Sequence, residues 1–279
     1  MNLPTLPSFF AATIFSGLIS VIATPTKANV ELRVGEGERF ITIQAAVDAV
    51  PARPDQPYVI VVKPGIYAES VKITGKDTSP RRSLTIKSEK LSRAIIDTGD
   101  KPHAFHLLDQ NNVILDGLTL KGGNSYGTVF LQRASQNTIS RCVIQGSKTY
   151  DGITLSGSTD NLIEKNILLK NARAGIFLIN RSRDNTIRFN IITLNKWGVF
   201  NDTSTDDASS EPVLEQWNDY YGNQSGNVSG FTLSDTSLTA DPVLIVENNT
   251  VRLSTRSDFL RWSPAGEATP ESPAPKSTK

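Results

Sequence analysis

The chain has 279 residues, with 29 Lys and Arg against 28 Asp and Glu, for a net charge of +1. That balance excludes the broad electrostatic pull toward nucleic acid or anionic lipid that a basic protein feels. The single cysteine, Cys142, excludes an intrachain disulfide and reads as a small buried apolar residue.

Residues 1–28 read as a signal peptide. Phe9 to Ala23 is an uncharged apolar run, short for a membrane span, and small residues follow it. An uncleaved anchor is the alternative. Either route leads to a secreted, periplasmic or cell-surface protein, with no stable membrane span after cleavage. Next, Thr42 to Val50 carries Ile43, Val47 and Val50 at helical spacing. Thr42 serves as N-cap and Pro51 as stop, which predicts a short capping helix over about 42–50. Tyr58-Val-Ile-Val-Val-Lys-Pro-Gly65 predicts a strand and a turn. Ser83 to Lys87 and Ala94 to Asp97 read as irregular early coils.

From about 104 to about 203 the chain repeats. Asparagine marks the change: 17 fall between Asn111 and Asn249, and none lies between Asn29 and Asn111. One column runs Asn112, Asn137, Asn161, Asn185. A second runs Gly117, Cys142, Asn166, Asn190, and a third Ser147, Asn171, Asn195. The spacings are 24 or 25. Between the columns lie short β-branched segments such as Gly175-Ile-Phe-Leu-Ile, too short for helices and cut by Asn and Gly. A unit of that size cannot bury its own apolar face, so it must stack on copies of itself, ~4.8 Å per coil. The predicted fold is an all-β, single-stranded right-handed parallel β-helix, a solenoid with an N-terminal capping helix. It spans residues 29–266. A leucine-rich repeat has a similar period, but its leucine spacing is missing and no helix pattern appears in the units. The Pro, Ser, Thr and Lys-rich stretch 267–279 reads as a disordered tail. Asn201 to Pro212, with Asp202, Asp206 and Asp207, reads as a solvated loop that interrupts the repeat. A monomer is expected.

Thr42-Ile-Gln-Ala-Ala-Val-Asp-Ala-Val-Pro51, followed by Tyr58-Val-Ile-Val-Val-Lys-Pro-Gly-Ile-Tyr-Ala-Glu69, resembles the opening of pectin lyase-like β-helix proteins. These include pectinesterases and several pectate and exopolysaccharide lyases. Ala240-Asp-Pro-Val-Leu, Arg252-Leu-Ser and Ser263-Pro-Ala-Gly266 are similar to the way many such chains end. The resemblance implies a partner that is a polysaccharide or cell-wall glycan, acidic and pectate- or alginate-like. It also implies lyase or hydrolase chemistry on that chain. The pectinesterase motifs are not intact: Cys142-Val-Ile-Gln-Gly146 resembles the stretch before that family's catalytic Gln-Asp-Thr-Leu, yet Ser147-Lys-Thr-Tyr-Asp151 follows. Tyr150-Asp151-Gly152 resembles one calcium-binding step of the calcium-dependent lyases. The matching step in the next coil, Arg173-Ala174-Gly175, brings no acid, so the calcium cage is incomplete.

Residues just before the repeated glycines should share one level and form a stripe. Tyr126, Tyr150, Lys196 and Trp197 are the candidate substrate-binding residues, since sugar rings stack on aromatic faces. Arg173, Lys148 and Asp151 are the candidate catalytic residues. Arg173 would neutralise a uronate carboxylate, Lys148 or Arg173 would act as base, and Asp151 would hold a cation. If Ile153, Leu155, Ile176 and Leu178 point inward, then Val129, Leu131, Phe177, Ile179 and Phe200 are expected to point outward. His103 and His106, the only histidines, are expected on one face of an early strand. Three functions remain open: a glycan-binding or glycan-processing protein, a non-catalytic structural or surface protein, and a periplasmic accessory protein that helps assemble a metal cofactor.

Overall fold

The computed structural model describes residues 28–205, 213–247 and 250–259. Residues 1–27 of the stretch read as a signal peptide, the tail, Asp206 and Asp207 lie outside those residues.

Short β-branched segments become strands because each packs against its copy one coil away. The chain winds through three parallel sheets of eight, seven and seven strands. The first sheet runs from Val30–Val34 to Val213–Gln216, and the second from Gly65–Tyr67 to Asp219–Tyr221. The third runs from Val71–Ile73 through Phe105–Leu108, Gly127–Gln132, Asp151–Ser156, Ala174–Ile179 and Trp197–Asn201 to Gly226–Ser229. The result is a right-handed parallel β-helix. Inside it, identical levels stack: Val129, Ile153, Ile176 and Val199 in one column, Leu131, Leu155 and Leu178 in another.

That stacking corrects one expectation. Val129 and Leu131 point inward, and Phe130 takes the outward place above Thr154, Phe177 and Phe200. Gly127 aligns with Asp151, not with Gly152, so a parity read from the glycines slips by one. In a strand a slip of one exchanges the two faces.

The corners explain the asparagines. Each corner is a residue in the left-handed region followed by a ladder residue. Before the first sheet the left-handed residues are Asn112, Gln136, Asp160 and Asp184, with φ of 52°, 57°, 56° and 58°. The ladder residues after them are Val113, Asn137, Asn161 and Asn185. Asn112 is therefore a turn residue, and Val113 holds the ladder level. Gly117 likewise precedes the second ladder, whose first members are Leu118 and Cys142. Within a ladder every polar atom is used. Asn161 Oδ1 accepts from Asn137 N (3.0 Å) and Asn137 Nδ2 (3.1 Å), while Asn161 Nδ2 donates to Asn185 Oδ1 (3.0 Å) and Ala134 O (3.0 Å). The second ladder, Cys142–Asn166–Asn190–Asn218, and the third, Ser147–Asn171–Asn195–Asn223, repeat the pattern. Cys142 is fully enclosed, and burial pushes its thiol up to about 12.

Both ends of the solenoid are closed. Helix α1 (Ile43–Ala49) buries Ile43, Ala46 and Val47 against the first coil. Thr42 Oγ1 accepts from Ala45 N at 3.2 Å, and the Glu69 carboxylate accepts from Ile43 N and Gln44 N at 2.9 and 3.0 Å. The Gln44 amide then mimics a neighbouring strand. It donates to Lys72 O (3.1 Å) and accepts from Lys72 N (2.7 Å) on the edge strand of the third sheet. An unpaired edge invites another chain, and this contact occupies it. At the far end Glu215 takes the inward level below Ile187, where an apolar residue stands in earlier coils. Its carboxylate accepts from Asn218 Nδ2, Ser234 N, Ser237 Oγ and Tyr220 Oη, which closes the last coil. The hairpin Leu244–Glu247 and Thr250–Leu253 lies on the outer face of the second sheet. Val251, Leu253 and Phe259 there cover Val143, Ile167, Leu169 and Ile191.

Two outcomes follow. Replacing Asn161→Ala leaves the buried Asn137 N–H without an acceptor and is expected to lower the unfolding free energy by about 3 kcal/mol in urea titration. Asp219 is fully buried beneath Ala240, and its Oδ2 has no hydrogen-bond partner. Burial, with a smaller push from Asp241, raises its carboxyl to about 6, against the Ala240 N–H that lowers it. The folded chain therefore holds a proton that the unfolded chain has lost. Stability is expected to fall as pH rises from about 4 to about 6. In Asp219→Asn that part of the slope should disappear, measured as the difference in urea midpoint between the two proteins across this window.

Candidate functional site

The corner leading into the third sheet gathers the predicted stripe. Successive backbone bonds place Tyr126, Tyr150 and Arg173 in line: Asp151 N donates to Tyr126 O, Arg173 N to Tyr150 O, and Trp197 N to Arg173 O. The turn before Arg173 is one residue shorter than the turn before Tyr150, which keeps Arg173 level with it. Gly175 permits the tight approach here, since a Cβ would lie 2.9 Å from Gly198 O and 2.6 Å from Ile192.

Side chains on this corner meet the outward column of the third sheet to form a continuous line. Tyr126, 55% exposed, lies over Phe130 with ring centroids 4.9 Å apart and nearly parallel. Tyr126 and Tyr150 stack at 6.3 Å. The Arg173 guanidinium sits 3.9 Å from the Phe177 centroid and 5.6 Å from that of Tyr150. Phe177 meets Phe200 at 5.6 Å, and Trp197 meets Phe200 edge-on at 5.6 Å. At the other end His106 stacks on Phe130 at 4.9 Å, and His103 lies 5.2 Å from both His106 and Phe130.

Tyr126, Tyr150, Asp151, Arg173 and Trp197 are thus brought together. Lys196 is exposed at the adjacent corner position. Lys148 is drawn off: its ammonium reaches Asp100, two coils back, at 3.3 Å. Asp151 is enclosed completely and faces Arg173, whose Nε (2.9 Å) and Nη2 donate to it. The same carboxylate accepts from Ala174 N (2.9 Å) and Thr154 Oγ1 (3.0 Å). Burial pushes the Asp151 carboxyl up, and those donors, Arg173 first, pull it down. With both oxygens taken, Asp151 does not suit the calcium step that the sequence raised. Among the described residues, no three His, Cys, Asp or Glu side chains converge on a metal position.

The histidines reach one face by different routes. His103 lies in the turn before the strand that carries His106. His103 Nδ1 contacts Gly127 O (2.8 Å), and His106 Nε2 contacts Gln132 Oε1 (3.1 Å). Burial holds both imidazoles below their usual range, so they are neutral at pH 7. Phe130 is the site residue that sequence reading missed. The signal was present: it precedes Leu131 as Phe177 precedes Leu178, and only the parity slip hid it.

This architecture is the parallel β-helix fold of the pectin lyase-like proteins. Residues 60–237 match the family described as periplasmic copper-binding protein (NosD), and the chain belongs to it. No curated protein matches the sequence. Among solved structures, pectate lyase Pel9A superposes with a TM-score of 0.54 at 12% identity, over 78% of this chain and 77% of the other. A mannuronic acid-specific polysaccharide family 6 lyase from human gut microbiota gives 0.51 at 14% identity, over 72% of this chain. The present chain spans about half the length of that lyase (51%). These likenesses show the fold. No helix among the described residues is long and apolar enough to cross a membrane.

The family description names copper. The described residues do not fit a resident copper centre: Cys142 is sealed in the core, and no three His, Cys, Asp or Glu side chains converge on a metal position. Replacing Asp151→Ala, which strips Arg173 and Ala174 N of their acceptor, is expected to cost about 2–3 kcal/mol in urea unfolding.

Proposed function

We propose that the outer face of the third sheet is a binding surface for a polysaccharide, on a secreted or periplasmic β-helix protein. The observation that supports this is the unbroken line from His106 through Phe130, Tyr126, Tyr150 and Arg173 to Phe177, Phe200 and Trp197. Coils repeat every ~4.8 Å, so such a line is a platform for an extended chain of rings rather than a pocket for one small molecule. Aromatic faces accept the C–H faces of sugars, and the hydroxyls of Tyr126 and Tyr150 supply hydrogen bonds at the rim. The acidic, pectate- or alginate-like substrate rests on Arg173 forking onto a uronate carboxylate. In the structure Asp151 occupies that fork, which leaves stacking as the main attraction. Lyase-like processing would use Arg173, Lys148 and Asp151, yet each is already engaged by an opposite charge. Binding is therefore the reading that the geometry favours.

Tyr126→Ala, Tyr150→Ala and Trp197→Ala should each weaken glycan binding by about 0.5–1.5 kcal/mol, a roughly two- to tenfold rise in Kd. Calorimetry with defined oligosaccharides checks this. Unchanged affinity in all three would remove the surface from the third sheet. A second reading, an accessory role in periplasmic copper handling, has the family membership in its favour. The ligand sets described above lead us to expect well under one copper per chain after copper loading and desalting, read by mass spectrometry of the metal.

A further inference from the structure

We propose that this face selects neutral sugar chains over uronate chains, because the guanidinium at its centre is neutralised from within the protein. The inference rests on the glycan-binding reading above and concerns the class of glycan.

Arg173 is the central cation of the line, 37% exposed and lying flat on Phe177. Its counter-charge, Asp151, is held by the Ala174 N–H and the Thr154 hydroxyl as well as by Arg173. The carboxylate cannot swing away to free the fork. A uronate that displaced it would leave a buried carboxylate without its counter-charge, which is strongly unfavourable.

Two flanking cations have acidic partners of their own at the surface. Lys148 is paired with Asp100, and Arg133 grips Asp109 through Nε (2.7 Å) and Nη2 (2.9 Å). Lys72, in register with His106, and Lys196, beside Trp197, stand at opposite ends of the line. A uronate polymer carries a carboxylate on every ring and requires a row of cations to offset their desolvation. Here the row consists of aromatic faces with one compensated charge at its centre and lysines only at its ends. A neutral ring loses little on leaving water and stacks on Tyr126, Tyr150 and Trp197.

Calorimetry on the full chain at low ionic strength tests the inference. The ligands are oligogalacturonates of fixed length and the same oligomers with each carboxyl reduced to a primary alcohol. The reduced oligomers are expected to bind more tightly by about tenfold or more. Equal or tighter binding of the unreduced form, weakened by salt, overturns the inference and keeps the glycan reading. If neither form binds, nor neutral gluco- and manno-oligosaccharides, the glycan reading itself fails.

Discussion

Everything in this molecule depends on one interaction: the side-chain amide of an asparagine bonding to the backbone of the coil before it. A solenoid corner turns the chain out of a sheet and leaves backbone N–H and C=O groups inside, where water cannot reach. Asn161 satisfies such groups on two residues at once and bonds its own copy in the next coil. The left-handed residue before it would be unfavourable in an isolated peptide. It persists because the amide fixes the corner. The three ladders hold the three sheets in register, and the register aligns Tyr126 with Tyr150 and Arg173.

How much of this was legible in the sequence follows from that dependence. The period was legible because a ladder needs the same residue type at the same level. The columns from Asn137, Cys142 and Ser147 onward were read correctly. Asn112 and Gly117 were placed one position off because Asn and Gly serve both corner positions: the left-handed turn accepts them for backbone reasons, the ladder takes Asn for its amide. Which one an early Asn fills depends on its neighbours. The capping helix was legible from Thr42 and the spacing of Ile43 and Val47. The Glu69 and Gln44 contacts were not, since they join residues that only the fold brings together. The stripe was legible as a level. Its electrostatics were not, because Asp151 and Arg173 are 22 residues apart and their pairing depends on a turn shortened by one residue.

The site and the scaffold compete for the same charged groups. A catalytic β-helix needs acids or cations left available on its outer face. Here Asp151 is consumed in holding Arg173 and the start of the next strand, and Lys148 answers Asp100. What remains on the face is aromatic surface with fixed geometry. In the proposed function such a surface recognises shape along a line, which suits a long ligand that contacts several coils weakly at each.

The corner pattern also makes each interior coil an exchangeable cassette. Its ladder amides bond the coil before and the coil after at equivalent positions. The loop after Asn201 lengthens one repeat from 24 to 28 residues, yet Asn190 and Asn195 still find Asn218 and Asn223. Material can be gained or lost between ladder positions without disturbing the bonds on either side. Lineages of such chains can therefore lengthen or shorten their outer face in steps of one coil, ~4.8 Å at a time, with both end closures unchanged. In the proposed function, the length of ligand the face can span is then set by counting coils, not by redesigning a site.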